Sequence, residues 1–221
     1  MTNIFSGKKA IIFDMDGVII NSERVWGKRE GDFLKRFVSN FSPEDHENII
    51  GQSLQNIFLY LQKRFPDEMN LINAEKFLQE YEKFGLEEVY SRTEILPGLL
   101  EFLELITEKN LKIALASSAQ RSWVNQTLER HKLAQYFLFT NSAGDVKNAK
   151  PAPDLFLKTA QDLKLENHEC VIIEDSTNGI LAANRAQIPV IGILNGFNNQ
   201  QNLKNANFIT EGFPELSKLL S

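Results

Sequence analysis

The 221-residue chain is 43% hydrophobic and 24% charged, which is typical of a globular protein with a substantial core. Its formal net charge of −5 argues against nucleic acid or an anionic membrane as a partner, so local positive groups must hold any anionic ligand. The apolar run after Lys9 stops at Asp14, so we expect neither a signal peptide nor a membrane span, and a cytoplasmic protein. The one cysteine, Cys170, opens an apolar run and is predicted to be a buried packing residue.

Short apolar runs rich in Ile, Val and Leu predict strands that are buried on both faces of a parallel sheet. The predicted strands are residues 9–13, 112–116, 136–140, 170–173 and 188–194. Helix-like stretches alternate with the later strands, which favours βαβ units and a doubly wound, mostly parallel, Rossmann-like α/β sheet. The predicted helices of this part are residues 99–109, 120–131, 154–165 and 177–186.

The alternation breaks once, between Gly17 and Leu96, where amphipathic helical patterns replace the apolar runs. These patterns cover residues 22–38, 54–65 and 74–90. An insertion of this length has the size of a small domain. We therefore predict an α-helical cap domain at residues 19–93 and an α/β core domain formed by residues 1–18 and 94–221.

Asp14 and Asp16 follow the first predicted strand, at the edge of a parallel sheet where ligands usually bind. Residues i and i+2 of a strand project to the same side, so the two carboxylates can converge. A carboxylate nucleophile beside a protonatable carboxylate suits covalent transfer followed by hydrolysis. Repulsion between the acids should raise one pKa unless a cation compensates. The simpler alternative is a polar strand end at which Asp16 and Gly17 form a turn.

Two further strand ends carry groups that can bind phosphate. Ser117 and Ser118 precede a predicted helix, whose N-terminal N–H groups bind anions readily, although simple helix capping is the alternative. Lys150 precedes Pro151 and Pro153, which restrict the backbone and would present the lysine rigidly. Its ammonium could then screen a phosphate from the carboxylates, whereas the alternative is an exposed lysine in a loop.

Glu174 and Asp175 end the fourth predicted strand. Adjacent acids at the end of an apolar strand are costly unless they are solvated or bound to a cation. Carboxylate oxygens suit Mg²⁺, which could also bridge a substrate phosphate. The alternative is capping of the following helix by acidic residues.

In order and placement, these four motifs resemble those of the haloacid dehalogenase-like superfamily. The resemblance is to the branch of β-phosphoglucomutases and sugar phosphatases, which has an α-helical cap after the first motif, and it covers nearly the whole chain. The motifs are Asp14-Met15-Asp16-Gly17-Val18, Ser117, Lys150-Pro151-Ala152-Pro153-Asp154 and Glu174-Asp175-Ser176.

The resemblance implies a Mg²⁺-dependent phosphatase that acts on a small phosphorylated metabolite through an aspartyl-phosphate. It implies that Asp14 is the nucleophile and that Asp16 protonates the leaving oxygen and then activates water. The implied phosphate-binding residues are Ser117, Ser118 and Lys150, and the implied metal ligands are Asp14, the main-chain carbonyl of Asp16, Asp175 and, directly or through water, Glu174. Dehalogenation is disfavoured, because halide release needs neither the second aspartate nor a metal.

A phosphosugar mutase of the β-phosphoglucomutase type is the main alternative. Mutases of that kind carry a histidine and an arginine where this chain has Trp26 and Leu54. The segment Asn21-Ser22-Glu23, with Trp26, resembles instead the Asp-Ser-Glu-x-x-Trp segment of sugar and sugar-alcohol phosphatases, from which it departs at Asn21. The resemblance therefore favours a phosphatase.

Residues at the start of the cap are the candidates for substrate specificity, and Trp26 could equally pack between cap helices. The candidates are Glu23, Arg24, Trp26, Gly51 and Gln52. Three histidines lie outside the motifs and are expected to have surface or packing roles, namely His46, His131 and His168. A phosphorylatable signalling domain or a non-catalytic binding relative are more remote alternatives, and sugar, sugar-alcohol, glycolate-type and nucleotide monophosphates all remain open as substrates.

Overall fold

A parallel β-sheet is the centre of the structure, a computed structural model that describes residues 3–50, 52–196 and 201–221. The strands are β1 (Ala10–Phe13), β2 (Lys112–Ala116), β3 (Phe139–Asn141), β4 (Cys170–Glu174), β5 (Val190–Ile193) and β6 (Phe208–Thr210). They form one six-stranded sheet in the order β3-β2-β1-β4-β5-β6, in which every neighbouring pair is parallel. The predicted Rossmann-like α/β class is confirmed.

Helices connect the strands and cover both faces of the sheet. They are α1 (Ser22–Leu34), α2 (Pro43–Ile49), α3 (Leu54–Arg64), α4 (Pro66–Met69), α5 (Ala74–Phe84), α6 (Leu99–Glu108), α7 (Arg121–Arg130), α8 (Asp154–Asp162), α9 (Thr177–Ala186) and α10 (Phe213–Leu220). Within the described ranges, none of the helices is long and apolar enough to span a bilayer.

The side chains of β1 alternate between two buried clusters, as the pleat of a strand requires. Ile11 and Phe13 face the helices α6 and α10, and the Phe13 ring lies 6.2 Å from that of Phe102 and 6.3 Å from that of Phe213. Ala10 and Ile12 face the opposite side, towards α8 and α9. Because both faces are covered, β1 is apolar throughout. The residue that follows it, Asp14, is polar and lies at the edge of the sheet.

Helices α1 to α5 all lie between β1 and α6, and we call residues 22–92 the helical insertion. Aromatic rings fill its interior: Phe33 stacks on Phe84 at 4.3 Å between centroids and meets Tyr81 edge to face at 5.3 Å. After α5 the chain continues through a π-helical turn, Gly85–Val89. The helical character predicted for this part of the chain agrees with the structure, and its division into a separate domain stays a prediction.

The predicted third strand is displaced. Residues 136–140 were expected to be extended, but Ala134–Tyr136 forms a 3₁₀ turn and β3 starts only at Phe139. Helix α1 likewise ends at Leu34 instead of residue 38, because the N–H groups of Arg36 and Phe37 bond to carbonyls three residues back and tighten the chain into turns. The short elements α2, β6 and α10 were not predicted.

Helix α7 of the sheet region anchors the helical insertion. The indole of Trp123 is buried against Gly85, and its N–H donates to the carbonyl of Glu82 at 3.0 Å. Gln126 also donates to the carbonyl of Leu86 at 3.1 Å. A Cβ atom at Gly85 would lie 2.5 Å from indole carbons of Trp123, so this close approach requires glycine.

We predict that Gly85→Ala destabilises the protein by about 1–3 kcal/mol, because the added methyl group overpacks the buried indole. The matched control is Gly31→Ala in α1, where a Cβ atom would meet nothing within 4 Å. Exchange of a helical glycine for alanine at such a position should be neutral or stabilising by up to about 1 kcal/mol. Urea unfolding measures both, and equal stability of the two variants would contradict the packing argument.

Candidate active site

A cavity of about 280 Å³ lies at the carboxyl ends of β1 and β4, beneath the helical insertion. Strands β2 and β3 lie on one side of β1 and β4 to β6 on the other, so this is the switch point at which open α/β sheets bind ligands. From the sheet side, the predicted site residues that line the cavity are Asp14, Asp16, Ser118, Lys150, Glu174 and Asp175.

Lys150 is the cation at the centre of this group. Its ammonium donates to Asp14 Oδ1 at 2.6 Å, to Glu174 Oε1 at 2.8 Å and to the carbonyl of Ala116 at 3.1 Å. The side chain is buried, so the alternative of an exposed loop lysine is wrong. Burial disfavours the ammonium, but Asp14 and Glu174 outweigh that effect and hold the pKa of Lys150 above its ordinary value. Lys150 is therefore charged and fixed.

Glu174 is held from both sides. While Oε1 accepts from Lys150, Oε2 accepts from the backbone N–H of Ser176 at 2.8 Å and from its hydroxyl at 2.9 Å. Ser176 in turn caps α9 by accepting from the N–H of Gly179 at 3.0 Å. A Cβ atom at Gly179 would lie 1.8 Å from the carboxyl carbon of Glu174, so glycine leaves the space that this carboxylate occupies.

Asp14 and Asp175 are two acids of the site whose pKa values are strongly raised. Burial raises the pKa of Asp14 to about 8; Lys150 offsets part of this, and Glu174 and Asp16 add to it. Burial also raises the pKa of Asp175 far above its usual value, with further contributions from Glu174 and Asp14. Four acids thus surround one ammonium, and the excess negative charge calls for a further cation.

A tight turn brings Asp175 close to the chain that follows β1. Asn195 donates through its Nδ2 to Asp175 Oδ2 at 2.8 Å and to the carbonyl of Gly17 at 2.9 Å. Gly17 has a φ angle of +76°, and a Cβ atom there would lie 2.0 Å from Asp175 Oδ2. Only glycine permits this conformation and this approach.

The helical insertion orients Asp16. Its Oδ1 accepts from the hydroxyl of Ser22 at 2.6 Å and from that of Tyr90 at 2.9 Å. Desolvation raises the pKa of Asp16, and these two bonds offset part of that rise. The predicted convergence of Asp14 and Asp16 on one cavity is observed. The contacts of Ser22 and Tyr90 with Asp16 were missed: Tyr90 lies 74 residues along the chain from Asp16, and the position of Ser22 six residues after Asp16 does not by itself predict a hydrogen bond.

The donor set fits Mg²⁺, which prefers oxygen ligands, generally uses one or two carboxylates and retains several waters. The Asp14 and Asp175 carboxylates lie in the cluster with excess negative charge. Among the described residues, no group of three or more His, Cys, Asp or Glu side chains forms a metal cage by itself.

The two serines after β2 differ. Ser117 is fully buried, and its Oγ accepts from the N–H of Ala119 at 3.0 Å, which leaves the hydroxyl proton able to donate. Ser118 lines the cavity, and its buried Oγ has no hydrogen-bond partner within the described part of the chain. A buried hydroxyl without a partner is costly unless a ligand satisfies it. Ser118 thus points to a polar ligand in this cavity.

The candidate specificity residues are divided by the structure. Glu23, Trp26 and Gln52 line the cavity, whereas the exposed Arg24 lines a separate one and Gly51 lies outside the described residues. In a helix, residues three or four positions apart share a side, so Glu23 and Trp26 face the cavity together. Arg24 follows Glu23 directly and therefore lies on a different side of α1. Trp26 has both suggested roles, since it lines the cavity and packs at 5.5 Å from the ring of Trp123.

Other lining residues of the insertion were missed by sequence reasoning. Glu30 follows Glu23 after two helical turns, a spacing that could have revealed it, and Tyr81 donates to its Oε1 through a short hydrogen bond. His46 Nδ1 lies 2.7 Å from Glu30 Oε2. The expectation that His46 has only a surface or packing role was wrong, because it too lines the cavity.

Comparison with known proteins agrees with this geometry. Residues 11–193 match the family of haloacid dehalogenase-like hydrolases, and the chain belongs to that family. It is 28% identical over 208 residues to "Phosphorylated carbohydrates phosphatase" of Thermotoga maritima, covering 94% of this chain and 95% of the relative. It is 27% identical over 180 residues to "Hexitol phosphatase B" of Escherichia coli K12, covering 81% and 80%.

Among solved structures, the β-phosphoglucomutase of Clostridium difficile superposes with a TM-score of 0.77 at 26% identity, over 96% of this chain and 97% of that one. The resemblance drawn from the four motifs is therefore confirmed. The predicted enzyme class is confirmed as well: the protein is a phosphoric monoester hydrolase.

We predict that Lys150→Met destabilises the protein by about 3–5 kcal/mol, because it leaves the buried carboxylates of Asp14 and Glu174 without their cation. The control is Lys158→Met in α8, which breaks a partly exposed ion pair with Asp162 and should cost less than about 1 kcal/mol. Chemical denaturation at neutral pH compares the two. A similar loss of unfolding free energy in both variants would contradict the argument that the buried ion pairs of Lys150 stabilise the protein more than an exposed pair does.

Proposed function

We propose that the protein is a Mg²⁺-dependent phosphatase that releases phosphate from a sugar or sugar-alcohol phosphate through an aspartyl-phosphate on Asp14. The observation that carries the proposal is the pairing of Asp14 with a buried lysine beside Asp16 in one cavity. The phosphatases of phosphorylated carbohydrates and hexitols that the chain resembles support the substrate class.

In the first step, Asp14 attacks phosphorus. Lys150 occupies Oδ1, so Oδ2 is the oxygen that we assign to the attack. The bond between phosphorus and the leaving oxygen breaks, and protonated Asp16 donates its proton to that oxygen. Lys150 and the hydroxyl of Ser118 stabilise the charge on the transferring phosphoryl oxygens. Ser117 can donate a further hydrogen bond through its O–H group.

In the second step, Asp16 accepts a proton from water, which attacks phosphorus, releases inorganic phosphate and restores the carboxylate of Asp14. The hydrogen bonds from Ser22 and Tyr90 hold the Asp16 carboxyl in one orientation for both proton transfers. Bound Mg²⁺ would neutralise charge on the phosphoryl oxygens. Asp14, Asp175 and the carbonyl of Asp16 would hold it.

Glu174 has a different role in this scheme. Both of its carboxylate oxygens are engaged, one by Lys150 and the other by Ser176. It is therefore better suited to fix Lys150 than to contact the ion directly, and any link to the ion would run through water. This assignment makes Glu174 a positioning residue.

A phosphosugar mutase is the second candidate, since the chain is similar to a solved β-phosphoglucomutase. The positions that resemble the histidine and arginine of such mutases hold Trp26 and Leu54, which are buried apolar side chains here. Trp26 cannot act as a general acid or base as a histidine can, and Leu54 cannot supply the positive charge of an arginine. This is why we place the phosphatase first.

The test is a panel of sugar, sugar-alcohol, glycolate and nucleotide monophosphates, assayed for phosphate release with Mg²⁺ and with a chelator. We expect release from a sugar or sugar-alcohol phosphate, its loss with the chelator, and a fall of at least about 10³-fold in Asp14→Asn. Circular dichroism confirms that the variant is folded. Release at the wild-type rate in Asp14→Asn would reject the nucleophile, and isomerisation of β-glucose 1-phosphate without net release would favour the mutase.

Tyr90→Phe tests the positioning of Asp16. The variant keeps the ring that stacks on Trp123 at 5.0 Å but removes the hydroxyl that binds Asp16. Loss of a hydrogen bond to a carboxylate should lower kcat by about tenfold, with KM nearly unchanged. A variant whose KM rises while kcat stays the same would assign Tyr90 to substrate binding instead.

A further inference from the structure

The wall of the active-site cavity that the helical insertion provides is acidic. Glu23 and Glu30 lie on the same side of α1, two helical turns apart, and both line the cavity that contains Asp14. Within the described residues, no donor is hydrogen-bonded to the Glu23 carboxylate, and Glu30 accepts from Tyr81. The two glutamates therefore form part of the cavity wall that the insertion supplies.

Among the described residues, the insertion contributes one basic side chain to this wall, His46, and Glu30 is its partner. The basic side chains that line the cavity are Lys150 and His46. Lys150 is bound by Asp14 and Glu174, and His46 lies against Glu30. The residues outside the described ranges include no lysine, arginine or histidine. A second anionic group on a substrate would thus meet carboxylates without a cation to pair with.

The remaining lining groups suit hydroxyls attached to carbon. Aromatic rings of Trp26, Tyr81 and Trp123 offer flat apolar faces to C–H groups, while carboxylate oxygens accept hydrogen bonds from hydroxyls. Apolar faces combined with a few polar groups are typical of small-molecule sites.

We propose that Glu23, with Glu30 behind it, selects phosphomonoesters whose remaining part carries hydroxyls and no second anionic group. This inference rests on the proposed phosphatase function and narrows its substrates. It excludes glycolate-type phosphates, phosphorylated sugar acids and bisphosphates. Burial, Asp16 and Glu30 raise the pKa of Glu23 to about 8, so binding is compared at about pH 9, where this carboxylate is ionised. Repulsion between two like charges a few ångströms apart in a partly buried site then amounts to a few kcal/mol, which is enough for such selection.

Two ligands of equal length test the proposal, glucitol 6-phosphate and 6-phosphogluconate. They differ only at C1, where the first has a hydroxymethyl group and the second a carboxylate. Their Kd values are measured on Asp14→Asn with Mg²⁺ present, so that no turnover interferes. We expect glucitol 6-phosphate to bind at least about tenfold more tightly. Adding Glu23→Gln should reduce this ratio by about tenfold, mainly by improving the binding of 6-phosphogluconate.

The matched control is Asp32→Asn, which removes one negative charge from the exposed side of the same helix and should leave the ratio unchanged. Equal binding of the two ligands, or the same ratio with and without Glu23→Gln, would overturn the proposal. A fall in the ratio with Asp32→Asn as large as that with Glu23→Gln would also overturn it, because general electrostatics would then explain the selection.

A separate assay distinguishes failure of this inference from failure of the proposed function. Hydrolysis of p-nitrophenyl phosphate by the wild type, and its loss in Asp14→Asn, reports on phosphatase chemistry whatever the second subsite selects. If p-nitrophenyl phosphate is hydrolysed but the two ligands bind with equal Kd values, the role of Glu23 is rejected and the phosphatase function is not. Selective binding without hydrolysis would support the role of Glu23 and reject the phosphatase.

Discussion

The buried contact of Lys150 with Asp14 and Glu174 is the interaction on which the site depends. Three segments that are far apart in the chain meet in it, and a buried ammonium between two carboxylates is stable only when all of them are in place. The same contact fixes one oxygen of Asp14 and leaves the other for chemistry. Because Ser176 and the small Gly179 fix Glu174 in turn, the first turn of α9 defines the position of the lysine.

The helical insertion is a functional part of this site as well as its cover. It supplies the hydroxyls of Ser22 and Tyr90 that orient Asp16, and the acidic wall around Glu23. Its position depends on the packing of Trp123 against Gly85, where the absence of a side chain permits the approach. Charge is thus divided between the two walls: the sheet side holds the groups for a phosphate, and the insertion side disfavours any second anion.

Local sequence was a good guide where burial on both faces made the pattern unambiguous. The predicted strand at 112–116 is β2, and the predicted helix at 177–186 is α9. It placed β3 three residues too early, because the apolar run at residues 136–139 begins in a 3₁₀ turn and only its last residue, Phe139, belongs to the strand. It missed β6, a strand of three residues in which Ile209 is exposed. The cavity-lining role of His46 was missed for another reason, since its partner Glu30 belongs to a different helix.

By itself the sequence determined the class of fold and indicated which strand ends meet at the cavity, because strand ends in a parallel sheet share one edge and each motif lies at or soon after such an end. The tertiary structure decided which of the cap residues reach the cavity: it includes Glu23 and Trp26, excludes Arg24, and adds Tyr90. The reason is physical. Helical periodicity shows which residues share a face, but the packing of helices against one another decides what that face meets.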